Sequence, residues 1–68
     1  MTPAEIKEAR QKLGLSAHQL AALLETDPQT IRRMEQSETA STFRKPEPRM
    51  SRLIRAYLAG YRPDDWPV

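Results

Sequence analysis

Two short helices joined by a tight connection are predicted within residues 13–38, and no other segment constrains the fold as strongly. The first is predicted to begin at Ser16, an N-cap residue that can form a capping box with Gln19. The second is predicted to begin at Asp27, whose carboxylate can accept backbone N–H groups, with Pro28 at the first helical position. A narrow apolar stripe follows each helix, at Leu20, Ala21, Leu24, Ile31 and Met34. A pair this short buries little surface, so its outward side chains are candidates for function.

The composition indicates one small globular domain that holds no disulfide bond. The chain has 68 residues, of which 38% are hydrophobic and 29% charged, and it contains no cysteine. Stability must therefore come from packing, and a second copy of the chain is one candidate source of it. No apolar run approaches the roughly 20 residues of a membrane span, and no signal-peptide pattern follows Met1, so we expect a cytoplasmic protein.

Four helices are expected in the chain, over residues 3–13, 16–24, 28–36 and 47–60. Leu23 lies off the apolar stripe of the second helix, so it is expected to be partly exposed. Residues 37–45 show no periodicity and are predicted to form a loop that Phe43 attaches to the core. No strand pattern is present, and residues 1–68 are therefore predicted to form one all-α domain.

Basic charge is concentrated in the second part of the chain. Residues 1–27 carry three lysines or arginines against four acids, whereas residues 28–68 carry eight against five, which gives the chain a net charge of +2. The excess begins in the predicted third helix and continues past it, at Arg32, Arg33, Arg44, Lys45, Arg49, Arg52 and Arg55. This distribution is typical of a protein that contacts a polyanion.

No pattern for catalysis is present in the sequence. His18 is the one histidine, no cysteine can act as a nucleophile, and neither a glycine-rich phosphate loop nor zinc-ligand spacing occurs. We therefore expect no enzymatic activity, cofactor or metal. His18 itself lies near the start of the second helix, where it is either a solvated side chain or a contact to a DNA phosphate, because a helix N-terminus attracts anions.

The exposed face of the third helix has the residue types that read DNA bases. With Asp27 as the cap, the side chains opposite the apolar stripe are Gln29, Arg32, Arg33 and Gln36. Glutamine can pair with adenine and arginine with guanine, each contact providing about 1–3 kcal/mol of discrimination. The alternative is a solvated polar face. The helix-turn-helix layout and the neighbouring basic segment favour the DNA interpretation.

Residues 6–38 resemble the lambda repressor/Cro-like (XRE-type) helix-turn-helix family of phage and bacterial transcription regulators. The resemblance rests on I-x-x-A-R-x-x-L-G-L-S in the first helix and turn, L-A-x-L-L in the second helix, and T-I-R-R-M-E-Q-S-E in the third. It implies a compact four- to five-helix bundle whose third helix enters the major groove and reads an operator as a dimer.

Carried over position by position, the resemblance assigns base reading to Gln29 and Arg33, with Arg32 as a third reader. Contacts to the DNA backbone fall on Thr26, Thr30, Gln36, Arg44 and Lys45. Arg10 and Glu35 match a pair that the family uses as a structural salt bridge between the first and third helices. We therefore assign that pair to architecture and not to DNA binding.

Three positions depart from the family pattern. Ala17 replaces a glutamine that touches phosphate, and Ser37 replaces the glycine that follows the third helix. Glu25 replaces the usual turn glycine, so either it adopts a positive φ angle or the turn has a different geometry.

The fourth helix has an apolar stripe that is wide enough for two roles. Its positions follow the helical period, at Met50, Leu53, Ile54, Tyr57, Leu58 and Tyr61. The stripe can cover the other helices, and part of it, Tyr57 and Tyr61 with Trp66, can form a two-fold dimer interface. On its other side Arg49, Arg52 and Arg55 are candidates for contacts to the DNA backbone, with solvation of the helix as the alternative, and Arg49 is the one assigned to the DNA site.

These observations predict a repressor of a small phage or mobile-element operon that binds a palindromic DNA operator as a homodimer. Half-sites would lie about 34 Å apart. The alternative is a protein-interaction module, such as the antitoxin of a toxin–antitoxin pair, in which the fourth helix binds the partner. Neither a membrane nor a small-molecule ligand is indicated.

Overall fold

The computed structural model describes residues 1–67, which form four helices and no strand. They are α1 (Pro3–Lys12), α2 (Ala17–Leu23), α3 (Pro28–Met34) and α4 (Pro48–Leu58). The all-α prediction is confirmed, and the bounds of each helix differ from the expected ones by at most two residues. A fifth helix is absent from the described residues. Within the same residues, no helix is both long and apolar enough to cross a membrane.

Local capping determines where the first three helices begin. Capping boxes form in the pairs Thr2–Glu5 and Ser16–Gln19. In each pair the hydroxyl of the first residue accepts the backbone N–H of the second, and the side chain of the second accepts the backbone N–H of the first. At α3 the carboxylate of Asp27 accepts the N–H of Thr30 at 2.7 Å. The start of α4 has no side-chain cap, and Pro48 occupies its first position.

Three helices end in the same type of hydrogen-bonded turn, with a left-handed residue directly after the C-cap. That residue is Gly14 after α1, Glu25 after α2 and Gly60 after α4, with φ angles of 69°, 57° and 111°. At α2 the N–H of Thr26 reaches back to the carbonyl of Ala21 at 2.9 Å, which is the long bond of a Schellman motif. Of the two possibilities left by the sequence, Glu25 therefore adopts the positive φ angle.

The core lies where α3 packs on α2 and α4 packs on α1. Its fully buried large side chains come from all four helices: Ile6, Leu20, Leu24, Ile31, Met34 and Ile54. The expectation for Leu23 was wrong, because this side chain is also buried. Positions 20, 21, 23 and 24 are all covered, and a helix surrounded in this way buries a wider arc than a helix packed on one neighbour.

Candidate nucleic-acid interface

The outward face of α3 carries the three residues predicted to read bases. Gln29 and Arg32 are exposed and Arg33 is half-buried, whereas Ile31 and Met34 on the opposite side are fully buried. Because the buried pair anchors α3 in the core, the polar side chains form one group directed away from it. The structure thus brings the three predicted readers together.

A carboxylate lies at the edge of this basic surface. The hydrogen bond from the backbone N–H of Thr30 holds the pKa of Asp27 below its ordinary value, and the positive charges of Arg33 and Arg44 lower it further. The two arginines therefore lie close enough to Asp27 for its charge to act on them.

Thr26, one residue before Asp27, is half-buried within the turn that follows α2.

Thr30 requires a correction to the predicted site. Its residue surface is only 6% exposed, and its backbone N–H is already bound to Asp27. A side chain with so little surface has little to offer a phosphate, so we place Thr30 in the packing of α3 and not among the DNA contacts.

The loop after α3 is attached to the end of that helix. The N–H of Arg44 donates to the carbonyl of Arg33 at 3.3 Å, and the hydroxyl of Thr42 donates to Oε1 of Gln36 at 2.6 Å. Phe43 is half-buried, whereas Arg44 and Lys45 are exposed. The two basic loop residues therefore extend the surface that α3 presents. Sequence reasoning missed Thr42, because no local pattern indicates a hydrogen bond across six residues.

Arg10 and Glu35 form a partly buried ion pair between α1 and the end of α3. Nε of Arg10 lies 2.7 Å from Oε2 of Glu35 and Nη2 lies 3.0 Å from Oε1. Nη1 also donates to the carbonyl of Leu15 at 3.1 Å. The hydrogen bonds to Glu35 raise the pKa of Arg10. All three guanidinium nitrogens of Arg10 donate hydrogen bonds to oxygen atoms of the protein, which fits an architectural role.

Two further predicted backbone contacts differ in their surroundings. His18 is exposed in the first turn of α2, in keeping with both of its interpretations. Arg49 is also exposed, but its guanidinium lies 3.5 Å from the carboxylate of Glu47. Because this ion pair partly neutralises its charge, Arg49 is a weaker candidate for a phosphate than Arg44 or Lys45.

The predicted dimer residues divide into buried and exposed groups. Tyr57 is only 2% exposed, so it belongs to the core of one protomer, and we correct its assignment to the interface accordingly. Trp66 is half-buried and packs edge-on against Tyr57, with ring centroids 5.1 Å apart. Tyr61 and Leu58 are 53% and 44% exposed. Leu58 belongs to the apolar stripe predicted to cover the other helices, but the structure leaves much of its surface uncovered.

Comparison with known proteins agrees with this arrangement. A family model described as "Helix-turn-helix" matches residues 6–45, which is more than half of the chain and includes α2, α3 and the basic loop. Curated proteins and solved structures gave no significant match. Within residues 1–67, no cluster of three or more histidine, aspartate or glutamate side chains could hold a metal ion. The chain therefore belongs to the lambda repressor/Cro-like, XRE-type helix-turn-helix family of DNA-binding transcription regulators.

Proposed function

We propose that this protein is a repressor that binds a palindromic operator as a homodimer, with α3 of each protomer in successive major grooves. The observation that carries the proposal is the single surface formed by α3 and the loop after it. That surface presents Gln29, Arg32 and Arg33 beside Arg44 and Lys45. The phage or mobile-element origin of the operon rests on the family resemblance alone.

Gln29 and Arg33 are the proposed base readers, and Arg32 assists them. Gln29 lies in the first turn of α3, the part of a recognition helix that approaches base edges. The Nε of Arg33 is buried and has no hydrogen-bond partner among residues 1–67. The Nε atom of Arg33 is thus held against the protein, and the two terminal Nη groups of the guanidinium are the atoms proposed to bind a guanine.

The proposed phosphate contacts come from the start of α2, from the residues just after α3 and from the loop that follows. Arg44 and Lys45 supply charge from the loop, and His18 supplies a contact at the start of α2. Gln36 accepts from Thr42 through Oε1, and no hydrogen bond within residues 1–67 uses its side-chain amide N–H groups, so these can donate to a phosphate oxygen. Binding should weaken steeply with salt, with a slope in log K against log salt of about −0.9 for each phosphate neutralised.

The proposed dimer uses the exposed apolar surface at the end of α4. Leu58 and Tyr61 are the large apolar side chains that the described residues leave exposed, and Tyr61 stacks on Tyr57, against which Trp66 also packs. A two-fold axis through this surface would pair each patch with its copy. Changing both Leu58 and Tyr61 to serine should convert dimers to monomers in sedimentation experiments, with little change in the fold.

Selection of bound sequences from a random DNA pool tests the function most directly. We expect an inverted repeat whose half-site centres lie about 10 base pairs apart. The variant with both Gln29→Ala and Arg33→Ala should stay folded and lose sequence preference, whereas Lys7→Ala, an exposed charge on α1, should keep it. If no DNA sequence is enriched and the protein instead captures a protein partner through α4, the antitoxin alternative is favoured.

A further inference from the structure

An open groove lies along the first half of α4, on a part of the surface that the proposed DNA contacts use only at Lys45. It has a volume of about 520 Å³, within the range of small-ligand sites. We call it the α4 groove and define it by Lys45, Ser51, Arg52 and Arg55. Lys45 comes from the loop after α3, and the other three residues come from α4.

The three basic side chains of the α4 groove are exposed and form no ion pair within residues 1–67. Arg52 and Arg55 lie three positions apart on one helix, so their charges repel each other. Glu5 lies near Arg55: its pKa is lowered by the capping hydrogen bond from Thr2 and, to a smaller extent, by the charge of Arg55, but the two side chains form no ion pair. The groove thus holds an excess of positive charge that no carboxylate in the described residues pairs with.

Ser51 adds a hydrogen-bonding group to this charge. The residue is 8% exposed, and it lines the α4 groove. No side-chain hydrogen bond among the described residues uses its hydroxyl. Among the described residues this hydroxyl is not one of the buried side-chain atoms that lack a partner, so it reaches the surface of the groove and can donate to a ligand there.

We propose that the α4 groove binds a phosphate group, with Lys45, Arg52 and Arg55 as its cationic side chains and the Ser51 hydroxyl as a hydrogen-bond donor. Arginine forms paired, charge-assisted hydrogen bonds to phosphate, and two arginines on one helix face can hold a single anion between them. The phosphate belongs either to a free phosphorylated molecule or to the backbone of DNA. The proposal does not depend on base reading by α3.

Titration of the full chain with inorganic phosphate and pyrophosphate, at constant ionic strength kept with sodium chloride, tests the site. We expect saturable shifts of the backbone amide signals of residues 51–55 in NMR spectra. The double variant Arg52→Gln, Arg55→Gln should bind pyrophosphate at least tenfold more weakly, whereas Lys7→Gln, which removes an exposed charge of α1 outside the groove, should bind within twofold of wild type. Unsaturable shifts, or equal affinity in the double variant, would overturn the proposal.

Ser51→Ala separates a bound phosphate from diffuse attraction of counter-ions. It leaves every charge in place, and a binding site should lose several-fold affinity for pyrophosphate when the hydroxyl is removed. Affinity equal to that of wild type would count against a site. Circular dichroism of each variant confirms that the helices remain.

Non-specific duplex DNA identifies the source of the phosphate once pyrophosphate binding is established. If the Arg52/Arg55 double variant binds the duplex as wild type does, the natural ligand is a free phosphorylated molecule. If duplex affinity falls in parallel and the salt slope decreases by about 1–2, the ligand is the DNA backbone. Both results support the groove as a phosphate site, whereas loss of duplex binding without any pyrophosphate binding contradicts it.

Discussion

Arg10 on α1 and Glu35 at the end of α3 are joined through two hydrogen bonds, of 2.7 and 3.0 Å. Their side chains are only 18% and 11% exposed. The pair therefore fixes the position of α3 relative to α1 through contacts within the protein.

Arg10→Ala should lower thermal stability. The substitution leaves the Glu35 carboxylate partly buried without its partner and frees the carbonyl of Leu15, at a cost of about 2–3 kcal/mol. For a domain of this size that is a fall in Tm of roughly 10–20 °C. Thermal unfolding followed by circular dichroism measures it.

Lys12→Ala is the matched control, because it removes an exposed ion pair to Glu8 whose charged atoms are 4.0 Å apart. It should change stability by less than about 0.5 kcal/mol. An Arg10→Ala protein that melts like wild type yet binds DNA poorly would contradict the architectural role.

Glu25→Gly should stabilise the domain, because glycine adopts the left-handed conformation without the strain that Glu25 bears at φ 57°. The relief of about 1–2 kcal/mol is partly offset by the greater freedom of glycine in the unfolded chain, which leaves a gain of about 0.5–1 kcal/mol. Chemical unfolding curves give the difference. Ala22→Gly, at an exposed site inside α2, should do the reverse and cost about 1 kcal/mol, and a loss of stability in both variants would count against strain at Glu25.

Asp27→Asn should have an effect on stability that depends on pH. The pKa of Asp27 is lowered in the folded protein, so the ionised carboxylate contributes stability above the ordinary aspartate pKa, and this contribution disappears as the pH falls through the folded pKa. The difference in Tm between wild type and Asp27→Asn should therefore be constant near neutral pH and shrink below about pH 4. A difference that grows in acid would contradict this assignment.

Thr42→Val should weaken DNA binding while leaving the fold intact. Valine keeps the shape of threonine but removes the donor that holds Oε1 of Gln36, so the amide loses its orientation. The loss of one such hydrogen bond is about 0.5–1.5 kcal/mol, which is roughly a two- to twelvefold weaker Kd.

A double-mutant cycle with Gln36→Ala distinguishes this role of Thr42 from a separate contact. The two substitutions should not be additive, because both remove the same amide contact. Ser41→Ala, at a neighbouring exposed loop position, should bind as wild type does. Additive losses would mean that Thr42 acts on DNA by another route.

The sequence by itself determined the helices, since their starts depend on neighbours within one turn. Ser16 with Gln19 and Asp27 before Pro28 specify where α2 and α3 begin, whatever surrounds them. The arrangement of polar residues on α3 was also predictable, because helical periodicity alone separates Gln29 from Ile31.

Only the tertiary structure decided which of these surfaces remain accessible. The burial of Leu23, Thr30 and Tyr57 depends on contacts with elements distant in the chain, which no local pattern specifies. For the same reason the sequence did not indicate that Lys45 from the loop would lie with Arg52 in one groove. Helix formation depends on local hydrogen bonds and propensity, whereas burial and clustering of charge depend on how the helices pack together.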